Sequence, residues 1–275
     1  LRNRFSYLLI LPALLYVLVF SYLSYPYMII AFKHFNYKLG VFGSEWCGFK
    51  NFEFFLKSTN APTVIRNTLV LNLLFIVTGT LTSLVLAILL NELRSRVFVR
   101  TAQTMMLFPH YISWVVVSYI LLAIFSNKNG LANQLLNALG MKSVSWYTKA
   151  DAWPTILVWM KIWKSAGMNA VIYLAAITGI DESIYESATI DGANRFQRIV
   201  SITVPLIMPT VCIMTLLAVG KIMNGDFGMI YALVGDQGIL YETTDVIDTY
   251  VYRVLRQTGD PSQSMAIGLF QSLIG

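Results

Sequence analysis

The sequence predicts an all-α membrane protein with about six transmembrane helices, and three observations carry this prediction. Of the 275 residues, 56% are hydrophobic and only 12% are charged, whereas soluble domains carry about 25% charged residues. Five apolar runs are each long enough to cross about 30 Å of hydrocarbon, and a sixth begins near Met265. The mean hydropathy of +0.63 indicates that lipid, rather than water, is the main solvent.

The five long apolar runs set the predicted order of the spans. They cover about residues 7–30, 68–90, 104–125, 153–180 and 202–223. Between them we expect an aromatic polar loop over 32–66, a loop with a short amphipathic helix over 127–142, and a loop of some forty residues over 224–263. The run after Met265 is too short to span, and we expect it to be a truncated sixth helix. We divide the chain into 1–67, an N-terminal transmembrane helix with an external loop, and 68–275, the core transmembrane domain.

The distribution of basic residues predicts that the N-terminus is cytoplasmic. Segments 1–6, 91–104 and 181–200 carry seven arginines in about forty residues, and the opposite loops carry about ten basic residues in roughly a hundred. The positive-inside rule gives most weight to short, dense loops. The net charge of +6 is therefore assigned to loops that face headgroups and partners, not to a nucleic-acid surface. The arginines counted as cytoplasmic are Arg2, Arg4, Arg94, Arg96, Arg100, Arg195 and Arg198.

One polar stretch, residues 183–209 (SIYESATIDGANRFQRIVSITVPLIMP), joins the last two long runs. Ser183 and Glu186 have the spacing of a capping box, which predicts a helix start. Gly192 stands where a first short helix would end in the left-handed conformation and let the chain turn into a second. Apolar residues recur at helical spacing and predict a face that docks on a partner; they are Ile184, Ala188, Phe196 and Ile199.

The same stretch resembles the EAA loop of binding-protein-dependent ABC importer permeases. That family's pattern is E-A-A, three residues, Gly, nine residues and I-x-L-P. Here Glu186-Ser187-Ala188 is followed at this spacing by Gly192 and then by residues 202–205, Ile-Thr-Val-Pro. The run Asp191-Gly192-Ala193 also matches the family's usual DGA. The departures are Ser for the middle Ala and Val for Leu, both of similar size.

This resemblance implies the ABC type I importer permease fold, with a cytoplasmic coupling helix between the fourth and fifth spans. It implies a second homologous permease, two cytoplasmic ATPase subunits and a periplasmic or extracellular solute-binding protein. Closure of the ATPase dimer would push the coupling helix and rock the spans to an outward-facing state. The residues that would meet the ATPase are Tyr185, Glu186, Ser187, Ala188, Asp191, Gly192, Ala193, Arg195 and Phe196.

Other stretches are similar to the subclass of sugar permeases that import oligosaccharides and polysaccharide fragments. They are Asn169 with residues 173–176 (YLAA), residues 243–253 (TTDVIDTYVYR), and residues 130–139 (GLANQLLNAL). Together with the coupling loop they cover most of the chain from about residue 65, and the first seventy residues match only loosely. The resemblance extends to importers of uronate oligosaccharides such as alginate, in a bacterial inner membrane.

Ionisable residues inside spans are expensive and usually face a partner or a wet cavity. For the lysines of the fourth and fifth spans, snorkelling to the headgroups and lining a pathway for an anionic substrate are equally consistent with the sequence. Aromatic residues of the fourth span could stack on sugar rings or anchor the helix at the interface. The candidate pathway residues are Trp159, Lys161, Trp163, Lys164, Asn169, Tyr173, Lys221, Asn224 and Asp226.

No catalytic or nucleotide-binding motif is present in the sequence. There is no phosphate-binding G-x-x-x-x-G-K-[ST] loop, no H-E-x-x-H and no G-x-S-x-G, and the cysteines Cys47 and Cys212 have no metal-binding spacing. We therefore expect no enzyme activity, no metal and no cofactor here, with ATP and Mg²⁺ held by partner subunits. The alternatives are an ion-coupled secondary transporter, a permease for a neutral sugar or a glycerol-phosphate-like solute, and a membrane scaffold.

Overall fold

The computed structural model describes residues 4–93, 95–127 and 130–275, and the side chains of those ranges from residue 7 onward. Arg2 and Arg94, which entered the count of cytoplasmic charges, lie outside the described residues, as does the side chain of Arg4. The described chain is mainly helical, with one antiparallel hairpin that pairs Lys33 with Trp46 and His34 with Glu45.

The elements follow one another with short connections. The α-helices are α1 (Arg4–Phe20), α2 (Gly40–Gly43), α3 (Lys50–Leu56), α4 (Ala61–Glu92), α5 (Arg96–Tyr111), α6 (Trp114–Phe125), α7 (Leu131–Ala138), α8 (Trp153–Thr178), α9 (Glu182–Ile190), α10 (Arg195–Arg198), α11 (Val204–Val219), α12 (Phe227–Val234), α13 (Tyr241–Thr244), α14 (Ile247–Thr258) and α15 (Pro261–Ile274). The strands are β1 (Lys33–His34) and β2 (Glu45–Trp46). The 3₁₀ helices are Tyr22–Phe32, Trp146–Thr148, Ala150–Ala152 and Gly238–Leu240, and a π-helical turn covers Ile199–Thr203.

Three described helical stretches are long and apolar enough to cross a bilayer: Tyr7–Phe32, Ala61–Glu92 and Arg195–Val219. The pair α5 and α6 gives a fourth crossing if it is counted as one span. Helix α8 has 26 residues, about 39 Å at 1.5 Å per residue, which is also long enough to cross. Helix α15 has 14 residues, too few to span about 30 Å of hydrocarbon.

The predicted third span, 104–125, is wrong as a single straight helix. Helices α5 and α6 meet at a bend of 96°, and Ile112 and Ser113 between them are extended. The Ser113 side chain accepts a hydrogen bond from the Val116 N–H at 3.3 Å and so starts a new helix. The carbonyls that end α5 bond instead to the ammonium group of Lys164 in α8. A long apolar run conceals this break, because hydropathy does not report where backbone hydrogen bonds go.

The predicted loop over 224–263 is also wrong, because helices α12, α13 and α14 occupy most of it. The Asp226 side chain caps α12 by accepting the Met229 N–H at 3.0 Å. Val246 and Ile247, further along, are fully buried. A side-chain amide, that of Asn67, donates to the carbonyls of Glu242 and Asp245 and holds this region against α4. The helices here are short, so periodicity in the sequence is too brief to reveal them.

The fifth span begins earlier than the predicted residue 202. Helix α10, the π turn and α11 form one continuous helical stretch, Arg195–Val219. Pro205 stands just after the π turn, at the start of α11. Proline lacks an N–H and its ring collides with the carbonyl four residues earlier in a regular α-helix. The wider π turn relieves this collision, so the second helix of the polar stretch runs directly into the membrane helix.

The chain packs into two compact units, residues 1–62 with 250–274, and residues 63–249 with Gly275. In the first unit, α15 packs against α3 and the 3₁₀ helix Tyr22–Phe32. Phe55 is buried there, with ring centroids 5.6 Å from those of Tyr250 and Phe270. The division predicted between residues 67 and 68 stays a prediction.

In the second unit, two clusters of buried side chains lie at opposite ends of α8. The first joins the start of α8, at Trp153 and Leu157, to α4, α6 and α12. The second joins its final turns, at Tyr173 and Ile177, to α4 and α11. Between the clusters, α8 crosses α5 so closely that a Cβ on Gly167 would lie 2.1 Å from the Met106 carbonyl oxygen.

This crossing predicts that Gly167→Ala destabilises the protein. The added methyl group must push α5 and α8 apart, and such overpacking costs about 1–3 kcal/mol. We expect the melting temperature of the purified protein in detergent to fall by about 5 °C. Gly79→Ala is the matched control, since a Cβ there meets nothing within 4 Å and alanine favours a helix interior. An unchanged melting temperature for Gly167→Ala would contradict the close crossing.

Candidate functional site

The polar stretch after α8 forms a helix–glycine–helix, here named the coupling segment and defined as residues 181–203. It consists of α9, the turn at Gly192, α10 and the π turn. The predicted capping box of Ser183 and Glu186 is wrong, because Asp181 is the N-cap of α9 and accepts the Ser183 N–H at 2.9 Å. That hydrogen bond also holds the pKa of Asp181 below its ordinary value. Sequence spacing alone could not choose between two capping side chains two residues apart.

The turn at Gly192 confirms the prediction of a left-handed glycine. Gly192 has φ of +81°, a conformation that costs other residues about 1–2 kcal/mol. The Ala193 N–H donates to the Ala188 carbonyl at 2.9 Å, and the Gly192 N–H donates to Thr189 at 3.1 Å. These are the two hydrogen bonds of a Schellman motif, which ends α9.

A capping box then starts the second helix of the coupling segment. The Asn194 side chain accepts the Gln197 N–H at 2.9 Å, and the Gln197 side chain accepts the Asn194 N–H at 2.8 Å. Each side chain satisfies a donor that the helix end leaves free. The turn is therefore held by hydrogen bonds on both sides of Gly192, and it fixes the angle between α9 and α10.

The coupling segment exposes large apolar side chains. Phe196 is 73% exposed and Ile190 is 87% exposed, although both lie in a polar segment. Ile184 is also exposed, whereas Ala188 and Ile199 are partly covered. Exposed apolar groups concentrated on one short segment are typical of an interaction surface. Ile190 was not among the predicted residues, because it falls outside the i, i+3, i+4 series used for them.

Tyr185 points into the protein rather than away from it. Its hydroxyl lies 2.9 Å from the Thr203 Oγ1 atom, which is buried. On the other side, Arg198 donates to the Thr189 hydroxyl at 2.8 Å. These two contacts tie α9 to the π turn and to α10. Thr203 is a site residue that sequence reasoning missed, since a threonine among apolar residues carries no signal of its own.

A cavity of about 410 Å³ lies where the coupling segment meets the transmembrane helices. It is bounded by the ends of α4 and α8, at Glu92 and Thr178, and by Tyr185, Arg198 and Thr203. The cavity is open to solvent and lies at the joint where the coupling segment meets α4 and α8. Of the other predicted coupling residues, Glu186, Ser187, Asp191 and Arg195 are exposed and Ala193 is partly buried.

The predicted pathway lysines have different environments. Lys164 is buried and donates to the carbonyls of Pro109, His110 and Ile112. Lys161 forms an ion pair with Asp226 at 2.7 Å, with side-chain exposures of 30% and 26%. Lys221 is exposed and lies just beyond the end of α11.

The other predicted pathway residues differ in their exposure. Trp159 and Trp163 are exposed on α8. Tyr173 is 2% exposed and packs within the second core cluster. Asn169 is half-buried, and the Asn224 carbonyl accepts a hydrogen bond from Asn72 at 3.1 Å. Asn72, on α4, was not predicted from the sequence.

Asp226 connects two elements through one carboxylate. Its Oδ1 atom caps α12 through Met229, and its Oδ2 atom accepts from Lys161. The Lys161 ammonium also lies 5.9 Å from the centroid of the Phe75 ring. The partly accessible ion pair is the one site among the predicted pathway residues where opposite charges meet in the described ranges. Within the same ranges, no group of three His, Cys, Asp or Glu residues is placed to hold a metal.

The ion pair predicts an asymmetric response to mutation. Lys161→Met removes the partner of a partly buried carboxylate, and we expect it to destabilise the protein by about 1–3 kcal/mol. The double variant Lys161→Met/Asp226→Asn removes the unpaired charge, so it should recover part of this loss. Lys57→Met is the control: the Lys57–Glu53 pair has a similar distance, 2.6 Å, but exposures of 77% and 56%, and we expect no more than about 0.5 kcal/mol. Thermal unfolding of the four proteins measures the difference, and equal losses for Lys57→Met and Lys161→Met would contradict it.

Two relatives in Bacillus subtilis (strain 168) align with this chain along its whole length. Protein LplB is 36% identical over 274 residues, which are 100% of this chain and 86% of that protein. The polygalacturonan/rhamnogalacturonan transport system permease protein YteP is 33% identical over 277 residues, covering 100% of this chain and 85% of that protein.

A solved structure has the same fold. It is a chain of a bacterial ABC transporter involved in the import of the acidic polysaccharide alginate, with a TM-score of 0.91 and 33% identity over 99% of this chain and 91% of that chain. This likeness confirms the predicted permease fold. Residues 79–274 match the family described as the binding-protein-dependent transport system inner membrane component. This chain therefore belongs to the binding-protein-dependent transport system inner membrane components, as a multi-pass permease subunit and not a catalytic enzyme.

Proposed function

We propose that this chain is a permease subunit of an ATP-driven importer of oligosaccharides, and that its substrates are fragments of acidic polysaccharides. The observation that carries the transport mechanism is the coupling segment, which presents Phe196 and Ile190 to solvent on a rigid turn. Its second helix is continuous with the membrane helix that ends at Val219. A push on this segment would therefore reach the membrane helix without passing through a flexible loop.

ATP binding and hydrolysis are assigned to separate subunits, because the sequence contains no phosphate-binding loop. The ATPase would grip the coupling segment around Phe196, with Glu186, Asp191 and Arg195 as exposed charges at the rim. Two such ATPase subunits, a second permease and an external solute-binding protein complete the assembly we propose. Dependence on a binding protein is a property of the family to which the chain belongs.

The proposed topology places the coupling segment and the N-terminus in the cytoplasm of a bacterial inner membrane. This orientation is supported by the density of arginine near α1, α5 and α10. It also places the connection from Phe125 to Trp153 and the hairpin of β1 and β2 outside. These outer segments are then available to the solute-binding protein.

The acidic nature of the substrate is supported by the two carbohydrate-linked similarities, since alginate and polygalacturonan are both polymers of uronic acids. Within the chain, Lys161 is a partly accessible pathway lysine whose ion-pair partner is a single side chain. A substrate carboxylate could replace Asp226 as the partner of Lys161, whereas the Lys164 ammonium donates hydrogen bonds to three backbone carbonyls. Ion-coupled secondary transport lacks this kind of support, because α8 and the stretch Arg195–Val219 contain no Asp or Glu.

The first prediction from this proposal concerns the substrate. In the complete importer with its binding protein, oligogalacturonates and alginate oligosaccharides should stimulate ATP hydrolysis, and neutral maltooligosaccharides of equal length should not. Lys161→Met should lower the stimulation by acidic substrates about tenfold, as expected for loss of one charge-assisted contact. Equal stimulation by neutral substrates would reject the acidic substrate class while leaving the importer function intact.

The second prediction concerns the coupling segment. Phe196→Ser should abolish co-purification of the ATPase subunits or reduce it at least about fivefold, because a central aromatic anchor at an interface commonly contributes 1–2 kcal/mol or more. Leu135→Ser on α7 is the matched control, since Leu135 is 65% exposed and lies on the opposite side in the proposed topology. Retention of the ATPase by the Phe196 variant would contradict the proposed contact.

A further inference from the structure

A second candidate site lies in the unit of residues 1–62 and 250–274, and it includes no residue of the coupling segment or of the predicted pathway. It is formed on the hairpin of β1 and β2, with α3 and α15 on its sides. The hairpin pairs His34 with Glu45 and Lys33 with Trp46. Side chains of directly paired residues lie on the same face of a hairpin. His34 and Glu45 therefore stand together, and both line the site.

The site is an open pocket with a volume of about 500 Å³, within the range of pockets that hold small organic ligands. Its wall combines aromatic rings with polar side chains. The lining includes His34, Glu45, Trp46, Lys50, Phe54 and Gln263. One acidic and one basic side chain offset each other, so the pocket has no strong preference for a charged ligand.

Trp46 offers one free ring face to a ligand. Its other face stacks on Phe32, with ring centroids 5.8 Å apart and planes inclined by 10°. Phe32 is held in turn by Phe49 and Phe52, at centroid distances of 5.6 Å and 5.2 Å. Trp46 nevertheless remains 63% exposed. A tryptophan that is packed on one ring face and exposed on the other provides a flat, rigid surface for an apolar face of a ligand.

Gln263 supplies a hydrogen-bond acceptor without a partner. Its Oε1 atom is closed to solvent and is the only such buried, unpaired side-chain atom in the part of the chain that the structure describes. Leaving a buried acceptor unpaired costs about 1–3 kcal/mol. The last torsion of glutamine is broad, so the amide can turn its oxygen toward a hydroxyl group that enters the pocket.

The frame of the pocket is rigid. The Asn51 amide, from α3, donates to the carbonyls of Ala31 and Lys33 at 2.8 Å and 2.9 Å. The Lys33 ammonium donates to the Phe42 carbonyl at 2.7 Å, and the Phe35 N–H donates to the Ser262 hydroxyl at 3.1 Å. The site is thus formed before any ligand binds, and a preorganised site loses less entropy on binding.

We propose that this pocket binds a pyranose unit of an oligosaccharide, stacked on Trp46 and hydrogen-bonded to Gln263. A pyranose ring has an apolar face of C–H groups that fits an aromatic platform, and hydroxyl groups at its rim that suit an amide, an imidazole and a carboxylate. The inference rests on the proposed function in one respect, that oligosaccharides are the solutes. It adds a binding site outside the membrane helices that recognises the ring rather than its charge. The pocket thus gives the permease its own contact with sugar, separate from the binding protein.

Direct binding to the purified importer, without its solute-binding protein, tests this site. Equilibrium dialysis with labelled trigalacturonate and labelled maltotriose should give, for the binding that Trp46→Ala weakens, dissociation constants that agree within about threefold, because the pocket's charges offset each other. Trp46→Ala should weaken binding of both sugars about tenfold, as loss of an aromatic platform predicts. Trp46→Phe should retain part of the affinity, and Gln263→Leu should weaken binding without changing the stack.

Phe42→Ala is the matched control, since Phe42 is 65% exposed in the same unit and does not line the pocket. It should leave the affinity unchanged. No measurable binding to the wild-type importer, or equal affinities for the wild type and Trp46→Ala, would overturn the inference. Loss of docking of the binding protein in the Trp46 variants, with sugar affinity unchanged, would overturn it in favour of a protein contact. None of these results depends on whether acidic sugars drive ATP hydrolysis, so this site and the proposed function fail separately.

Discussion

The contact between Lys164 and the end of α5 determines how the second unit is arranged. The ammonium group donates hydrogen bonds to the carbonyls of Pro109, His110 and Ile112. In a continuing helix these carbonyls would accept from backbone N–H groups instead. Burying an ammonium without partners would cost several kcal/mol, on the order of 5, so the lysine and the helix end require each other. The positive charge also suits the negative end of the helix dipole. The chain can then bend by 96° into α6, while Gly167 lets α8 approach α5 one turn away.

On either side of this crossing, α8 packs into a different cluster of buried side chains. Its first turns join the core around Trp153, and the ion pair from Lys161 holds the start of α12 through Asp226. Its last turns pack in the core around Ile177, and the coupling segment follows them in the chain. The same helix therefore connects the candidate substrate contact with the candidate ATPase contact. A displacement at either end acts on a helix whose middle is fixed against α5.

The coupling segment combines a rigid turn with an open cavity at its joint to the transmembrane helices. Hydrogen bonds on both sides of Gly192 hold the angle between α9 and α10, and the hydroxyl contact between Tyr185 and Thr203 ties α9 to the π turn. The cavity of about 410 Å³ beneath it leaves space at the ends of α4 and α8. π turns of this kind occur often at functional positions in helices. Here the π turn makes room for Pro205 and keeps the helix continuous into the membrane.

The sequence by itself determined that lipid is the main solvent, and it determined the number and order of the apolar runs and the position of the coupling segment. Hydropathy and motif spacing are properties of neighbouring residues. It also determined the left-handed turn at Gly192, which only a residue without a Cβ adopts at little cost. Tertiary structure alone decided that the third run is bent, that residues 224–263 are mostly helical, and that Asp181 caps α9. It also decided the contacts of two predicted pathway lysines: Lys164 bonds to the end of a helix, and Lys161 pairs with Asp226. Except for the cap at Asp181, these outcomes depend on which groups from distant parts of the chain complete a hydrogen bond or an ion pair. Residue spacing along the sequence does not specify those partners.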